Sequence, residues 1–224
     1  MPSKLNPLSE AMLNALQSEF DALMTDRSTR AVILRGAGKA FCAGHDLKEM
    51  TAGRQAEDGG RAYFNALFAQ CARMMTSIRR LPQPVIAQIH GIATAAGCQL
   101  VATCDMAVAA ETARFGVNGV NIGLFCSTPM VALSRNIPTK QAFELLTTGQ
   151  FLPAARAQDL GLVNRVVPEE ELETTTQALA EQVAAKLGVA VKIGQPAFYD
   201  QLEMPIDAPS AHTGRLMAGN MPPR

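Results

Sequence analysis

Apolar positions recur at helical spacing near the start of the chain. Met12, Leu13, Leu16, Phe20 and Leu23 share one face, and Ser9 stands where a helix cap is needed. The pattern then changes to a short β-rich run, AVILR (Ala31 to Arg35), flanked by Gly36. A loop of small residues, GAGKAFCAGHDLKEM, and a polar patch, TAGRQAEDGG, follow it. Helical spacing returns with Phe64, Leu67, Phe68, Cys71, Met74, Met75 and Ile78, and Pro82 and Pro84 end it. VIAQI (Val85 to Ile89) reads as a buried strand, and a helix is predicted from about Ala96 to Cys104. A strand MAVAA begins at Met106, and helices start at Ser127 and Thr139. LVNRVV (Leu162 to Val167) reads as a last strand, and Pro168 with three glutamates opens a helix ending near Leu187. Strands alternating with helices predict βαβ units and a largely parallel sheet. The expectation is an α/β core over residues 1–167 followed by a C-terminal helical region over 168–224.

Composition narrows the class. Lys plus Arg and Asp plus Glu both number 20, so nothing suggests a nucleic-acid or acidic-membrane surface. A hydrophobic content of 48% is enough for a substantial core. The five cysteines show no Cys-x-x-Cys spacing, and no two of the three histidines stand at helical spacing. Reduced thiols, a cytoplasmic location and no metal site are the expectation. No apolar run approaches the roughly 20 residues that cross a bilayer, and MPSKLNPLSE lacks the apolar centre of a signal peptide.

Three nucleotide or hydrolase motifs fail. Around Gly38-Lys39, the first glycine of a P-loop falls on Ile33 and its hydroxyl on Ala40. The third glycine of a dinucleotide fingerprint falls on Phe41. No Gly-x-Ser-x-Gly occurs. Two other stretches share a design. FCAGHDL follows the strand AVILR, and TAAGCQL follows VIAQI and opens a helix. Each places bare backbone past the carboxyl end of a strand, where α/β sheets bind ligands. Two N–H groups converging from such loops make an oxyanion hole; tight helix–sheet packing would call for the same small residues.

These stretches, in this order, resemble the crotonase superfamily, the enoyl-CoA hydratase/isomerase family. KLNPLSEAMLNAL is similar to its opening segment and AVILRGAGKAFCAGHDLKEM to its first signature. PQPVIAQIHGIATAAGCQLVATCDMAVAAETARFG is similar to the second, and ELLTTGQFLPAARAQDLGLVNRVVP to a later helical segment. The likeness runs from about Lys4 to Tyr199 and departs at both ends. The strand hairpin that usually precedes the first helix is missing, and the tail after Met204 is short and Pro-rich, which reads as an incomplete terminus. The resemblance implies a ββα spiral with a C-terminal helical oligomerisation region, a homotrimer or hexamer, and no cofactor beyond a CoA thioester as substrate or ligand. It implies that the backbone N–H groups of His45 and Ala96 hold the thioester oxygen, the shared chemistry being enolate stabilisation. Backbone from Ala43 through Gly44, Asp46 and Leu47 to Lys48 would touch the CoA moiety, with Gly97 beside the second donor.

A hydratase of this family uses two glutamates. The resemblance maps them to Gln99 and Gly119, neither of which exchanges protons at neutral pH. General acid–base help is worth roughly 10²–10⁴ per group, so efficient hydration is not expected. Gln99, on the first helical turn after the donor, should face the pocket. His45 offers an imidazole as donor or base, or is a rim histidine. Cys126, on the turn FCST, is either a thiol whose pKa a helix N-terminus lowers or a packed cysteine. Asn118 and Asn121 could orient water. The implied activity is that of an enoyl-CoA hydratase/isomerase-type lyase or isomerase of fatty acid metabolism. The alternatives are a CoA-thioester binding protein without turnover, or another reaction such as thioester hydrolysis or decarboxylation.

Overall fold

The computed structural model describes residues 1–205. Helix α1 (Glu10–Thr25) starts where Ser9 accepts a hydrogen bond from the Met12 N–H at 3.2 Å. Strand β1 (Val32–Arg35) is followed by α2 (Leu47–Gly53), α3 (Arg61–Arg80) and β2 (Val85–Ile89). Next come β3 (Ile92–Thr94), α4 (Ala96–Thr103), β4 (Met106–Ala110) and β5 (Arg114–Gly116). A 3-10 turn (Asn118–Ile122) leads to α5 (Ser127–Asn136) and α6 (Thr139–Thr148). The chain closes with β6 (Phe151–Pro153), α7 (Ala154–Asp159), β7 (Arg165–Val167), α8 (Leu172–Ala184) and α9 (Gly188–Leu202).

The strands form two sheets. One is four-stranded and all parallel, in the order β1-β2-β4-β7; the other is three-stranded, β3-β5-β6, with β5 and β6 antiparallel. Two successive passes along the chain place one strand in each sheet, β2 then β3 and β4 then β5, and the first of these leads straight into α4. That repeat is the ββα spiral that the resemblance implies. The β2 residues alternate faces: Val85, Ala87 and Ile89 join the main core, while Ile86 joins a smaller cluster with Val108, Leu172 and Leu179. Both faces are therefore covered, as an all-parallel sheet requires. Helix α8 supplies the second cover, so the chain past residue 167 continues the same fold onto the sheet.

The alternation of strands and helices is as the sequence predicts, and the differences have local causes. The second sheet is absent from the sequence reading because its strands are three residues each, too short for periodicity to register. In LVNRVV only Arg165–Val167 pair as a strand; Leu162 and Val163 are buried beneath it, and Asn164 Oδ1 accepts from the Ala107 N–H. The helix after Pro168 begins as a 3-10 turn (Glu169–Glu171) and ends at Ala184. Asp105 ties α9 down: its carboxylate accepts from the Val85 N–H at 2.7 Å, from Gln195 Nε2 at 3.2 Å and from the Tyr199 hydroxyl. Of the helical region expected over 168–224, residues 206–224 lie outside the described residues. No helix among the described residues is long and apolar enough to cross a membrane.

Candidate active site

Two loops, after β1 and after β3, meet at the site. The first is pinned along its length. Asn6 Nδ2 donates to the Ala37 and Ala40 carbonyls, both at 2.8 Å, and the Leu8 N–H donates to the Gly44 carbonyl at 2.7 Å. The Cys42 N–H bonds Ile92 O and the Thr94 N–H bonds Cys42 O, which joins this loop to β3. The second loop turns at Ala95, whose φ of 51° and ψ of −120° lie where L-residues are strained. Its N–H is held by the Gly116 carbonyl at 2.9 Å.

Bare backbone is required where the loops touch. A Cβ on Gly97 would lie 2.2 Å from the Cys42 carbonyl oxygen, so the first turn of α4 sits directly on the other loop. Gly44, at φ +89°, would place a Cβ 3.0 Å from that of Ala95. The contact brings His45 and Ala96 into one cavity of about 300 Å³. Neither residue's N–H donates to an acceptor among the described residues. Ala96 opens α4, where first-turn N–H groups have no partner within the helix.

Ala43, His45, Leu47, Ala96, Gly119 and Cys126 all line this cavity, with Met50, Phe68 and the apolar wall Ile122, Leu124 and Phe125. Asp46 is buried and caps α2, accepting from the Lys48 N–H at 2.9 Å. The Lys48 side chain is exposed on the first turn of α2. Asn121 is not in the lining. Its amide donates to the Gly149 carbonyl at 3.4 Å, because the 3-10 turn that carries it packs against the end of α6. Gln99 corrects the expectation that it faces the pocket. It is buried on α4 and absent from the lining, and its Oε1 has no partner.

Among the described residues no carboxylate lines the cavity. Its polar equipment is the two N–H groups, the His45 ring, the Cys126 thiol, the hydroxyls of Ser127 and Thr128, and a Thr94–Asn118 pair. Thr94 donates to Asn118 Oδ1 at 2.6 Å, so Asn118 has its N–H₂ left to offer. Burial pushes the Cys126 thiol pKa up against a hydrogen bond from Gly119, so the helix start does not make it a thiolate. Burial also lowers the His45 pKa, against its bond to Leu8 O and the charge of Glu49. His90, by contrast, is engaged with Gly38 O at 2.9 Å. Among the described residues no cluster of His, Cys, Asp or Glu could hold a metal ion.

Sequence reasoning missed Met50, Phe68, Thr94 and Ile122. Phe68 shows only as one apolar position on a long helix, and nothing local marks which of those positions faces a cavity. A larger hollow, about 360 Å³, lies between the end of α1 and the start of α9, lined by Asp26, Arg30 and Lys192 among others. Its lining includes none of the residues of the two loops that carry the unpaired N–H groups.

Comparison with known proteins gives the class. Residues 1–217 match the family model described as enoyl-CoA hydratase/isomerase. The chain therefore belongs to this family, within the crotonase superfamily. It is 43% identical to human enoyl-CoA hydratase domain-containing protein 3, mitochondrial, over 98% of this chain and 71% of that protein. Among solved structures it resembles an enoyl-CoA hydratase of Mycobacterium smegmatis, at 55% identity and a TM-score of 0.94 over 98% of this chain and 84% of that one. An enoyl-CoA hydratase from Bacillus anthracis matches at 32% identity and a TM-score of 0.91, over 98% and 84% of the two chains.

Proposed function

We propose that the chain binds acyl-CoA thioesters and stabilises their enolates, with the thioester oxygen between the N–H groups of His45 and Ala96. The observation that carries this reading is that both N–H groups belong to residues lining one cavity and have no acceptor among the described residues. One such donor is typically worth about 10²–10³ in rate. No further cofactor is called for, since the CoA thioester is itself the reacting group.

Hydration of 2-enoyl thioesters is not the activity this site favours. It needs a base for water and an acid for the α-carbon, and the cavity lining holds no carboxylate. That same observation supports a second reading, binding without turnover. Assembly as a trimer or hexamer accompanies both readings; the exposed apolar residues Ile122, Val131 and Phe143 support it.

Melting curves with acetyl-, butyryl- and crotonyl-CoA test the binding. A ligand at 100 times its dissociation constant adds about 2.7 kcal/mol. Ala96→Pro removes one N–H at a helix position that tolerates proline, and it should weaken binding more than Ala96→Gly. No shift with any thioester at saturation would refute the reading.

A further inference from the structure

One side-chain donor in the cavity is oriented by the fold and not spent by it. Asn118 lines the cavity, half-buried, at the start of the 3-10 turn after β5. Thr94 turns its amide: the Thr94 hydroxyl lies 2.6 Å from Oδ1. That separation suits an O–H···O bond and is shorter than the roughly 2.7–3.2 Å of an N–H···O bond. The amide oxygen therefore faces Thr94, and Nδ2 is left over. Nδ2 donates to no acceptor among the described residues, and it is not sealed off from solvent as the unpaired Gln99 Oε1 is. Asn6, Asn121 and Asn136 show the ordinary case, each spending its Nδ2 on a backbone carbonyl.

The donor's surroundings narrow what it can read. Thr94 ends β3 two residues before Ala96, so the Asn118 amide stands beside the carbonyl end of an acyl group whose thioester oxygen Ala96 holds. The apolar residues Ile122, Leu124 and Phe125 are left for the rest of the chain. Among the described residues no lysine, arginine or carboxylate lines the cavity, so a charged substituent would be buried without a partner. A carbonyl oxygen suits the amide as it stands, because it accepts and brings no proton. A hydroxyl brings one, and the acceptor of the amide is already taken by Thr94.

We propose that Asn118 is a specificity-determining residue and that the site takes 3-oxoacyl thioesters, which bear a second carbonyl at C3. The proposal rests on the thioester reading above and adds the acyl group to it. The thioester oxygen takes the N–H groups of His45 and Ala96, and the 3-oxo oxygen takes Nδ2 of Asn118. A plain alkyl chain leaves that N–H₂ stripped of water and unpaired. A site built to bond a substrate oxygen rejects the analogue without it in this way. Thr94 acts through the amide, by fixing which end of it faces the ligand.

The test is calorimetric titration with acetoacetyl-CoA, 3-hydroxybutyryl-CoA and butyryl-CoA, whose acyl chains are of one length. The wild type should bind acetoacetyl-CoA at least about 10-fold more tightly than either of the others. Asn118→Leu, close to asparagine in size, should bring the dissociation constants to within about 3-fold of one another. Asn118→Asp still accepts from Thr94 but has no N–H to give, so it should lose the preference as well. The ratio is read within each variant, so a general loosening of the turn, which weakens every thioester alike, does not move it. Equal affinity of the wild type for acetoacetyl-CoA and either other thioester overturns the proposal and leaves the thioester reading standing. A preference that survives in both variants does the same. Absence of binding of all the thioesters by the wild type refutes both.

Discussion

Ala95 carries a strained backbone that glycine would adopt freely, and its methyl group meets the Gly44 loop at the cavity. Strain of this kind costs about 1–3 kcal/mol, so Ala95→Gly should raise stability in chemical denaturation by about 1 kcal/mol while loosening the loop contact. Gly97→Ala should do the reverse. Its new Cβ would overlap the Cys42 carbonyl at 2.2 Å, and loss of both stability and thioester binding is expected. Gly119 behaves similarly: a Cβ there lies 2.3 Å from Leu124 O and 2.8 Å from Cys126 Sγ. Restoring a glutamate at 119, even together with Gln99→Glu, should therefore unsettle the cavity wall and yield no hydratase. A recovered hydration rate in the double variant would contradict this. His45 adds a pH dependence. A histidine whose folded pKa is lowered contributes stability that is present above about 6.5 and is lost as pH falls through the folded value. Denaturation from pH 7.5 to 5 should show that loss in the wild type and less of it in His45→Gln.

At the scale of elements, the sequence is legible where a pattern has room to repeat. Val85 to Ile89 and the helix around Met74 and Ile78 were plain because runs and helical spacing extend over many residues. The second sheet was not, since three residues such as Ile92–Thr94 carry no alternation and are fixed by pairing with chain about 20 residues on. The small residues Gly44 and Gly97 announced a close approach, and the structure supplies what approaches. Met50, Phe68 and Thr94 reach the site only because helix and sheet meet there, which no local signal encodes. Gln99 failed as a pocket residue for a related reason: its place on the first turn of α4 is fixed, but the way its side chain runs depends on packing elsewhere. Helix α9 depends on a few polar contacts, having no fully buried residue of its own. Tyr199→Phe removes its bond to Asp105, and Arg79 stacks over the same ring at 4.4 Å. Hydrogen exchange should quicken across α9 by the equivalent of about 1–3 kcal/mol, with the four-stranded sheet unchanged.

At the scale of the whole molecule, two large apolar side chains on neighbouring elements are exposed among the described residues. Ile122 (65% exposed) is on the cavity wall and Phe143 (63% exposed) is on α6, which packs beside the 3-10 turn. Large apolar side chains exposed together mark association surfaces, so light scattering at micromolar concentration should report a trimer or hexamer. A stable monomer would count against it. Ile122 lines the cavity as well, so Ile122→Lys should lower the assembly state and weaken thioester binding, whereas Phe143→Lys should lower the assembly state alone.

The central claim, that two backbone N–H groups polarise a thioester carbonyl, is tested most directly by isotope-edited infrared spectroscopy. Butyryl-CoA labelled with ¹³C at the carbonyl would be read free, bound to wild type and bound to Ala96→Pro. Hydrogen bonds from two preorganised donors weaken the C=O bond. The account predicts a bound carbonyl band at lower frequency than the free one, moving part of the way back in Ala96→Pro. A band that stays at the free position while calorimetry shows butyryl-CoA bound would contradict it.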